Sequence, residues 1–238
     1  MTIAHFKDLC MDATDALRLA RFWTDVRSGH LVDLGDGSAR FDRAEGVPGT
    51  ESIWIDPVPE PRLGKTRVHL DLRLPTPDPT PLVAAGATLV REPDDDTGWW
   101  VLADPDGNLF CAFPPSADGG TGVARPTVFE LVVDSRDPVA QARWWAAVTG
   151  GRVDVSGSAA SVVAASGFPW DRWVFDAVPE PKTVKNRMHW DVDLVDRNPA
   201  KLVEAGATVH REPDDVISWW IMKDPEGNEF CAFAPKER

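Results

Sequence analysis

The sequence predicts an α+β protein built from four βαβββ modules, and three observations support this prediction. The chain repeats itself after 120 residues, each copy divides into two halves with similar secondary-structure signals, and a polar stretch rich in Pro and Gly separates the copies. Residues 56–113 and 176–233 are identical at 32 of 58 positions, far more than unrelated segments would share. We therefore divide the chain into domain 1 (1–113), a linker (114–125) and domain 2 (126–238).

The first half of domain 1 carries the signals of a strand, a helix and two further strands. Residues 5–10 form the predicted first strand. Apolar residues then recur at helical spacing from Ala16 to Trp23, which predicts a helix that begins near Thr14 and ends at Gly29. Strands are predicted at 38–41 and 52–56.

The same pattern returns in the second half of the domain. A strand is predicted at 67–72, a short helix at 79–85 that ends at Gly86, a strand at 88–91, and a hairpin at 99–103 and 109–113. In domain 2 the corresponding helix is marked by Asn198 as N-cap, Pro199 in the first turn and Gly206 at the end. Each copy is thus expected to hold two βαβββ modules.

Composition excludes several classes of protein. With 43% hydrophobic and 26% charged residues, the chain has the balance of a folded globular protein. The net charge is −13 and both halves are acidic, so a phosphate backbone or an anionic membrane would be repelled. The first twenty residues hold no continuous apolar run, and the three cysteines form no C-x-x-C pair, so we expect a cytoplasmic protein with reduced thiols.

Several motifs together resemble one known superfamily. His5 stands seven residues before Asp12, an Arg-x-His-x-Asp pattern occupies 67–71, and two tryptophans precede a Pro- and Gly-containing turn at 104–108. These features are similar to those of the vicinal oxygen chelate superfamily, which includes glyoxalases, ring-cleaving dioxygenases and drug-resistance proteins. The resemblance implies that the four modules form two glyoxalase-like half-barrel cavities.

The resemblance also implies a set of site residues, because metal-using members take ligands from the first and last strands of their modules. Carried over to this chain, it gives eight candidate positions: His5, Asp56, His69, Cys111, Thr127, Asp176, His189 and Cys231. Trp100 and Trp220 complete the expected pocket, one from each pair of tryptophans. Cys111 and Cys231 stand where metal-using members usually have glutamate, and Thr127 is a poor ligand for a divalent metal. At most one complete metal site is therefore expected.

Two arrangements of the modules are open at this point. The chain can fold back as an internal pseudo-dimer, with module one beside module four and module two beside module three. His5, Asp56 and His189 would then share a site and could hold one divalent metal, Fe, Mn, Ni or Zn. Pairing within each copy would instead group His5 with His69. The protein is expected to be either a monomer of the first kind or a homodimer.

Single residues admit structural interpretations as well. His69 and Asp71 lie on one strand face by period-2 alternation, so they form either a structural ion pair or the polar floor of a cavity. Cys111 and Cys231 have the character of small buried hydrophobes. One tryptophan of each pair should face the cavity, and an aromatic wall there would suit a flat or apolar ligand.

Three functions are compatible with the sequence. The first is a protein that binds a small oxygenated or aromatic molecule in a cavity between modules without a metal. The second is a metal-dependent lyase or dioxygenase acting on a substrate with two adjacent oxygens. The third is a metal-free enzyme with His69 or His189 as general base.

Overall fold

The computed structural model describes residues 2–43, 51–116 and 124–235. Within these ranges it contains sixteen strands and four helices. In domain 1 they are β1 (Ala4–Ala13), α1 (Ala16–Arg27), β2 (Gly29–Asp33), β3 (Ala39–Arg43), β4 (Ile53–Pro57), β5 (Val68–Arg73), α2 (Thr80–Ala84), β6 (Thr88–Arg91), β7 (Trp100–Ala103) and β8 (Leu109–Phe113). In domain 2 they are β9 (Thr127–Ser135), α3 (Pro138–Thr149), β10 (Arg152–Ser156), β11 (Ala159–Val163), β12 (Arg172–Ala177), β13 (Met188–Leu194), α4 (Ala200–Glu204), β14 (Thr208–Arg211), β15 (Trp220–Lys223) and β16 (Glu229–Phe233).

The strands form two eight-stranded mixed sheets, each shared by both domains. Sheet 1 has the order β14-β15-β16-β13-β1-β4-β3-β2, and sheet 2 has the order β10-β11-β12-β9-β5-β8-β7-β6. At the centre of sheet 1, β1 runs antiparallel to β13; at the centre of sheet 2, β5 runs antiparallel to β9. The βαβββ modules of the α+β fold are thus confirmed.

This topology decides how the modules pair. Module one (β1 to β4) adjoins module four (β13 to β16), and module two (β5 to β8) adjoins module three (β9 to β12). The internal pseudo-dimer is therefore confirmed, and pairing within each copy is wrong. Strands that are more than 170 residues apart in sequence meet in sheet 1, where Cys10 pairs with His189.

A large apolar core lies beneath the sheets and is closed by the helices. Among the described residues, four tryptophans are fully buried: Trp23, Trp145, Trp173 and Trp190. Trp145 on α3 packs against the rings of Trp173 and Trp190, which belong to different modules. Burial of such large side chains is the main stabilising contribution to the docking of module on module.

The helix boundaries follow from local capping. α1 begins after Asp15, whose carboxylate accepts a hydrogen bond from the Arg18 amide at 3.0 Å, so the N-cap is one residue later than expected. The expected ends of the two short helices are confirmed, since Gly86 and Gly206 have φ of 118° and 108°, which disfavour any residue with a Cβ. The sequence pattern missed β2, whose residues lack strict alternation of buried and exposed positions.

Polar contacts join the modules at the ends of the central strands. Within domain 2, the carboxylate of Glu226 accepts hydrogen bonds from the Ser135 hydroxyl and the Asp137 amide at 2.9 Å each, and so connects module four to module three. Between the domains, Arg187 forms an ion pair with Asp106 at 2.7 Å, and Asp106 also accepts from the Thr14 amide. Asp106 of module two thus connects module one to module four, whose strands β1 and β13 hold the site.

Two further observations concern the chain as a whole. No helix in the described ranges is long and apolar enough to cross a membrane. Most of the expected linker, residues 117–123, lies outside the described residues.

Candidate small-molecule and metal site

The centre of sheet 1 brings together chemistry-bearing residues from both domains. Across the β1–β13 pair, Cys10 lies opposite His189 and Asp8 lies opposite Asp191. A bulge between Phe6 and Asp8 shifts the alternation of β1 at this point. Two acidic residues, a thiol and an imidazole therefore converge where the two domains meet.

Three of these side chains form a compact cluster, which we call the first cluster. A thiol, an imidazole and a carboxylate, from Cys10, His189 and Asp191, have donor atoms that all lie within 4.8 Å of one another. The His189 Nε2 is 3.9 Å from the Asp191 Oδ1 and 3.6 Å from the Sγ of Cys231 on β16. The buried Asp191 Oδ1 accepts no hydrogen bond among the described residues. An unsatisfied buried carboxylate oxygen beside an imidazole is suited to a ligand or an ion.

Sheet 2 holds a second cluster made of His69, Asp71 and Cys111, again with donor atoms within 4.8 Å. The His69 Nε2 is 3.4 Å from the Asp71 Oδ1, and this buried oxygen also lacks a hydrogen bond among the described residues. His69 lies opposite Val132, which takes the place that Cys10 has in sheet 1. The second cluster therefore lacks a thiol from the neighbouring module.

A cation of the chain stands beside each acidic pair. In sheet 1 the Lys7 ammonium contacts the Asp8 carboxylate and lies 3.5 Å from the Asp191 Oδ2 and 4.6 Å from the centre of the Phe233 ring. In sheet 2 the pair is Asp71 and Glu130, and the nearby cation is Arg73, which lies 4.2 Å from the centre of the Phe129 ring. Different strand positions thus supply the compensating charge in the two sheets.

Burial sets the protonation of these groups. It raises the pKa of Asp71 to about 8, with a further contribution from the Glu130 carboxylate, and it lowers the pKa of His69 to about 4. Burial also raises the pKa of the Cys231 and Cys111 thiols, and the neighbouring carboxylates act in the same direction. At neutral pH His69 is uncharged and both cysteines are thiols, which makes them poor nucleophiles.

The first cluster opens into a cavity with an aromatic wall. Two adjoining spaces of about 310 Å³ and about 600 Å³ share Asp56, His189, Trp219 and Cys231 in their lining. Trp219 stacks on Phe233, with ring centroids 5.3 Å apart and planes at 25°. We call these two spaces together the sheet 1 cavity.

The structure places some of the expected pocket residues in this cavity and others elsewhere. Asp56, His189 and Cys231 line it. His5 does not join them: it is exposed, lies opposite Asp193, and forms a hydrogen bond to the Ser166 hydroxyl. His5 is five residues before Cys10, the strand partner of His189. At about 3.3 Å per strand residue, this separates the two positions by roughly 16 Å along β1.

The remaining expected residues divide in the same way. His69 and Cys111 form the second cluster with Asp71, and Asp176 lies near enough to affect the pKa of His69. Thr127 lies at the opposite end of β9, paired with Arg73. Trp100 and Trp220 pack against the core. The tryptophan before each of them forms an aromatic stack instead, Trp99 on Phe113 and Trp219 on Phe233. The tryptophan that lines the sheet 1 cavity is therefore Trp219 and not Trp220.

Sequence reasoning missed the first-strand residues that do reach the site, Asp8, Cys10 and Glu130. A usable signal existed, because the offset of 122 residues that aligns the first strands also aligns Asp8 with Glu130. Both are acidic residues within apolar strands, a pattern that indicates a functional position. His5 was assigned because the resemblance implies a ligand on the first strand and His5 is the histidine of that strand.

The first cluster has the composition of a three-ligand metal site. Nitrogen, oxygen and sulfur donors of this kind, this close together, could hold one divalent ion such as zinc. Asp191 is one of the three possible ligands, and its Oδ1 has no hydrogen-bond partner among the described residues. A thiol ligand favours zinc over manganese, and its raised pKa means that a metal would have to displace the proton of Cys10. The residues present therefore fit a divalent metal of borderline softness.

The fold and the cavity define the class of protein: a tandem repeat of paired βαβββ modules with a site where modules of different copies meet. The model of the glyoxalase-like domain family matches the chain twice, at residues 8–113 and 130–233. The chain belongs to this family, and with it to the vicinal oxygen chelate superfamily. A comparison with curated protein sequences gave no match.

Solved structures share the whole architecture. Glyoxalase I from Zea mays superimposes with a TM-score of 0.64 at 14% identity, over 96% of this chain and 92% of the maize chain. A protein from Bacillus subtilis that is provisionally named a dioxygenase gives a TM-score of 0.65 at 12% identity, over 99% of this chain and 86% of its own. At these identities the likeness extends to the fold alone.

Proposed function

We propose that this protein binds a small planar molecule with oxygen substituents in the sheet 1 cavity. The observation that carries the proposal is the position of the Trp219–Phe233 stack in the same space as His189 and Asp191. An aromatic wall beside a polar floor recognises a flat molecule through its face and its oxygen atoms through hydrogen bonds.

The dimensions and contacts of the cavity support this proposal. The two adjoining spaces fall in the range of about 300–1,000 Å³ that is usual for small-molecule sites. The Lys7 ammonium lies beside the floor, where it can donate to a ligand oxygen in addition to its contact with Asp8. The Asp191 Oδ1 offers an acceptor for a ligand hydroxyl.

The binding proposal can be tested with catechol and 2-naphthol as probes and ligand-observed NMR as the readout. Trp219→Ala should weaken binding about tenfold through loss of the aromatic contact. Trp99→Ala, the equivalent change in domain 1, is the matched control and should bind like the wild type. Equal binding by Trp219→Ala and wild type, or no binding of either probe to the wild type, would contradict the proposal.

A second candidate is a metal-dependent lyase or dioxygenase that acts on a substrate with two adjacent oxygens, favoured by the first cluster with its unsatisfied carboxylate oxygen. A bound divalent ion would supply Lewis acidity to two neighbouring substrate oxygens. The residues Cys10, His189 and Asp191 would hold the ion, while the aromatic wall would orient the substrate.

Elemental analysis of protein purified without added metal separates the two candidates. About one equivalent of a transition metal, lost in His189→Ala but retained in His69→Ala, favours the enzyme. Protein that is free of metal and takes up none of Fe(II), Mn(II), Ni(II) or Zn(II) on titration favours the metal-free binder. Three free cysteines suit a reducing compartment, so the cytoplasm remains part of the proposal.

A further inference from the structure

We infer that Lys223 and His210 form an anion subsite at one end of the sheet 1 cavity, so that the ligand carries a carboxylate on its planar body. This inference rests on the proposed binding function and specifies the chemical class of the ligand. Both side chains line the 600 Å³ part of the cavity, together with Trp219 and His189.

Local strand geometry places the two basic residues on the cavity side. Lys223 and Ile221 alternate along β15 and both line the cavity. Thr208 pairs with Lys223 and Arg211 pairs with Ile221, so His210 is the extra residue of a bulge in β14. A bulge redirects a side chain, which explains how an edge-strand histidine reaches the cavity.

The positive charge of Lys223 is available to a ligand. Its cross-strand neighbour Glu229 is already engaged, since it accepts from the Lys182 ammonium at 2.7 Å and from the Asn186 amide at 3.3 Å. Within residues 2–43, 51–116 and 124–235, Lys223 has no ion pair of its own. An unpaired ammonium next to an apolar wall attracts an anion more strongly than a solvated surface lysine does, because the wall reduces screening by water.

Most of the other charged groups of the lining are engaged by partners of their own. Glu226 accepts from the Ser135 hydroxyl and from two backbone amides at the start of α3. Lys185 pairs with Asp12 at 2.6 Å. Asp56 is the remaining acidic group; it lines both parts of the cavity, whereas Lys223 and His210 line only the 600 Å³ part. Lys223 is therefore the lining cation that a ligand anion can neutralise, and the His210 imidazole supplies a second hydrogen-bond donor.

The internal repeat supplies a comparison that isolates this feature. The residues of domain 1 equivalent to His210, Lys223 and Glu229 are Val90, Ala103 and Leu109, three apolar side chains in place of three ionisable ones. Their strands have the same register and the same bulge position, between Leu89 and Arg91. The fold accepts either set. Glu229 has its own ion pair with Lys182, so Lys223 and His210 are the two ionisable residues for which the fold gives no structural reason.

One ammonium and one imidazole match a single carboxylate better than a dianionic phosphate, for which several donors or a guanidinium fork are usual. The stacked Trp219 and Phe233 rings adjoin the subsite and would hold the planar body. The ligand class is thus a small aromatic or conjugated carboxylic acid.

The test compares two probes of the same shape, 2-naphthoate and the uncharged 2-naphthamide, by isothermal titration calorimetry with the full chain. The wild type should bind the carboxylate at least about tenfold more tightly than the amide, the usual advantage of a charged hydrogen-bond partner. Lys223→Ala should abolish this preference and leave amide affinity unchanged, and His210→Val should reduce the preference. Both substitutions install the residues that domain 1 already tolerates, and Lys223→Arg, which keeps the charge, should retain the preference.

The outcomes separate this inference from the proposal beneath it. If both probes bind with equal affinity, or if Lys223→Ala keeps the preference for the carboxylate, the anion subsite is wrong while the binding function stands. If neither probe binds, both are wrong. If Trp219→Ala weakens both probes equally and Lys223→Ala weakens only the carboxylate, both are supported.

Discussion

Cys10 on β1 lies directly opposite His189 on β13, so one domain supplies the thiol and the other the imidazole of the first cluster. The equivalent position in sheet 2 places Val132 opposite His69. A site whose halves belong to different copies cannot form within either copy alone. The duplication therefore allows the two sheets to differ in chemistry while they keep one architecture.

This difference predicts unequal metal affinities. Cys10→Val, which installs the residue of sheet 2, should weaken zinc binding to the apoprotein about tenfold or more, because one of three ligands is lost. Competition with a chromophoric chelator measures the change. Val132→Cys is the matched control and should leave the first cluster unaffected; equal zinc affinity of Cys10→Val and wild type would contradict a role for the thiol.

His5 provides a second prediction. Because it lies near the end of β1 beside Ser166, His5→Ala should leave both zinc and probe binding unchanged within error. Asp8→Asn serves as the comparison, since Asp8 contacts Lys7 at the floor of the cavity and its loss should alter binding. Both variants are titrated with zinc and with the probes under the same conditions. Loss of binding in His5→Ala would show that His5 is a site residue.

The helix exit at Gly206 provides a test of the fold. Nothing lies within 4 Å of a Cβ built at this residue, so the penalty of Gly206→Val comes from its φ of 108° alone. We expect a loss of about 1–2 kcal/mol in the free energy of unfolding, visible as a lower melting temperature. Gly98→Ala, in open space without a positive φ, is the control and should be neutral. Doubling the length of the linker should cost only about 0.6 kcal/mol.

Separation of the two copies tests the module pairing. A fragment of residues 1–116 leaves β1 and β5 without their partners β13 and β9, so two central strands present open edges. Each fragment alone should self-associate or aggregate, and a mixture with residues 124–238 should form a one-to-one complex. Light scattering during size-exclusion chromatography measures the masses. Two stable monomeric fragments that do not associate would be incompatible with the shared sheets.

A buried carboxyl in the β15–β16 turn predicts a pH dependence of stability. Asp224 accepts from the Trp145 indole at 3.2 Å, and burial raises its pKa from 3.8 to about 6. Because the pKa of Asp224 is higher in the folded than in the unfolded protein, protonation of this carboxyl stabilises the fold. The contribution is complete below pH 3.8 and is lost as the pH rises to about 6. The loss amounts to at most about 3 kcal/mol.

Asp224→Asn removes this titration, so its free energy of unfolding should fall less than that of the wild type between pH 4 and pH 7. Urea denaturation at several pH values gives the two profiles. Asp214→Asn is the control, because Asp214 is exposed and its pKa is lowered to about 2. This variant should show the same fall in the free energy of unfolding between pH 4 and pH 7 as the wild type. Parallel profiles of Asp224→Asn and wild type would show that Asp224 does not titrate there.

Much of the architecture could be predicted because local patterns encode it. Strand and helix order followed from periodicity, and the glycines at 86 and 206 marked helix ends since only their backbone readily adopts a positive φ. His69, His189 and Cys111 were found for a similar reason, since identical short motifs recur 120 residues apart, whereas Cys10 lies outside those motifs. The position of Trp219 was less accessible. Alternation places Trp219 and Trp220 on opposite faces, but only the tertiary structure shows that the face of Trp219, Ile221 and Lys223 lines the cavity.

The sequence by itself determined the duplication, the four βαβββ modules and the residue types that carry chemistry, because each depends on neighbours along the chain. Only the tertiary structure decided that β1 pairs with β13, that Cys10 lies opposite His189 and Asp8 opposite Asp191, and that His5 lies opposite Asp193. The physical reason is that strand pairing is set by the burial of a whole sheet face against a common core, and a single bulge after Phe6 changes which side chains of β1 reach the cavity.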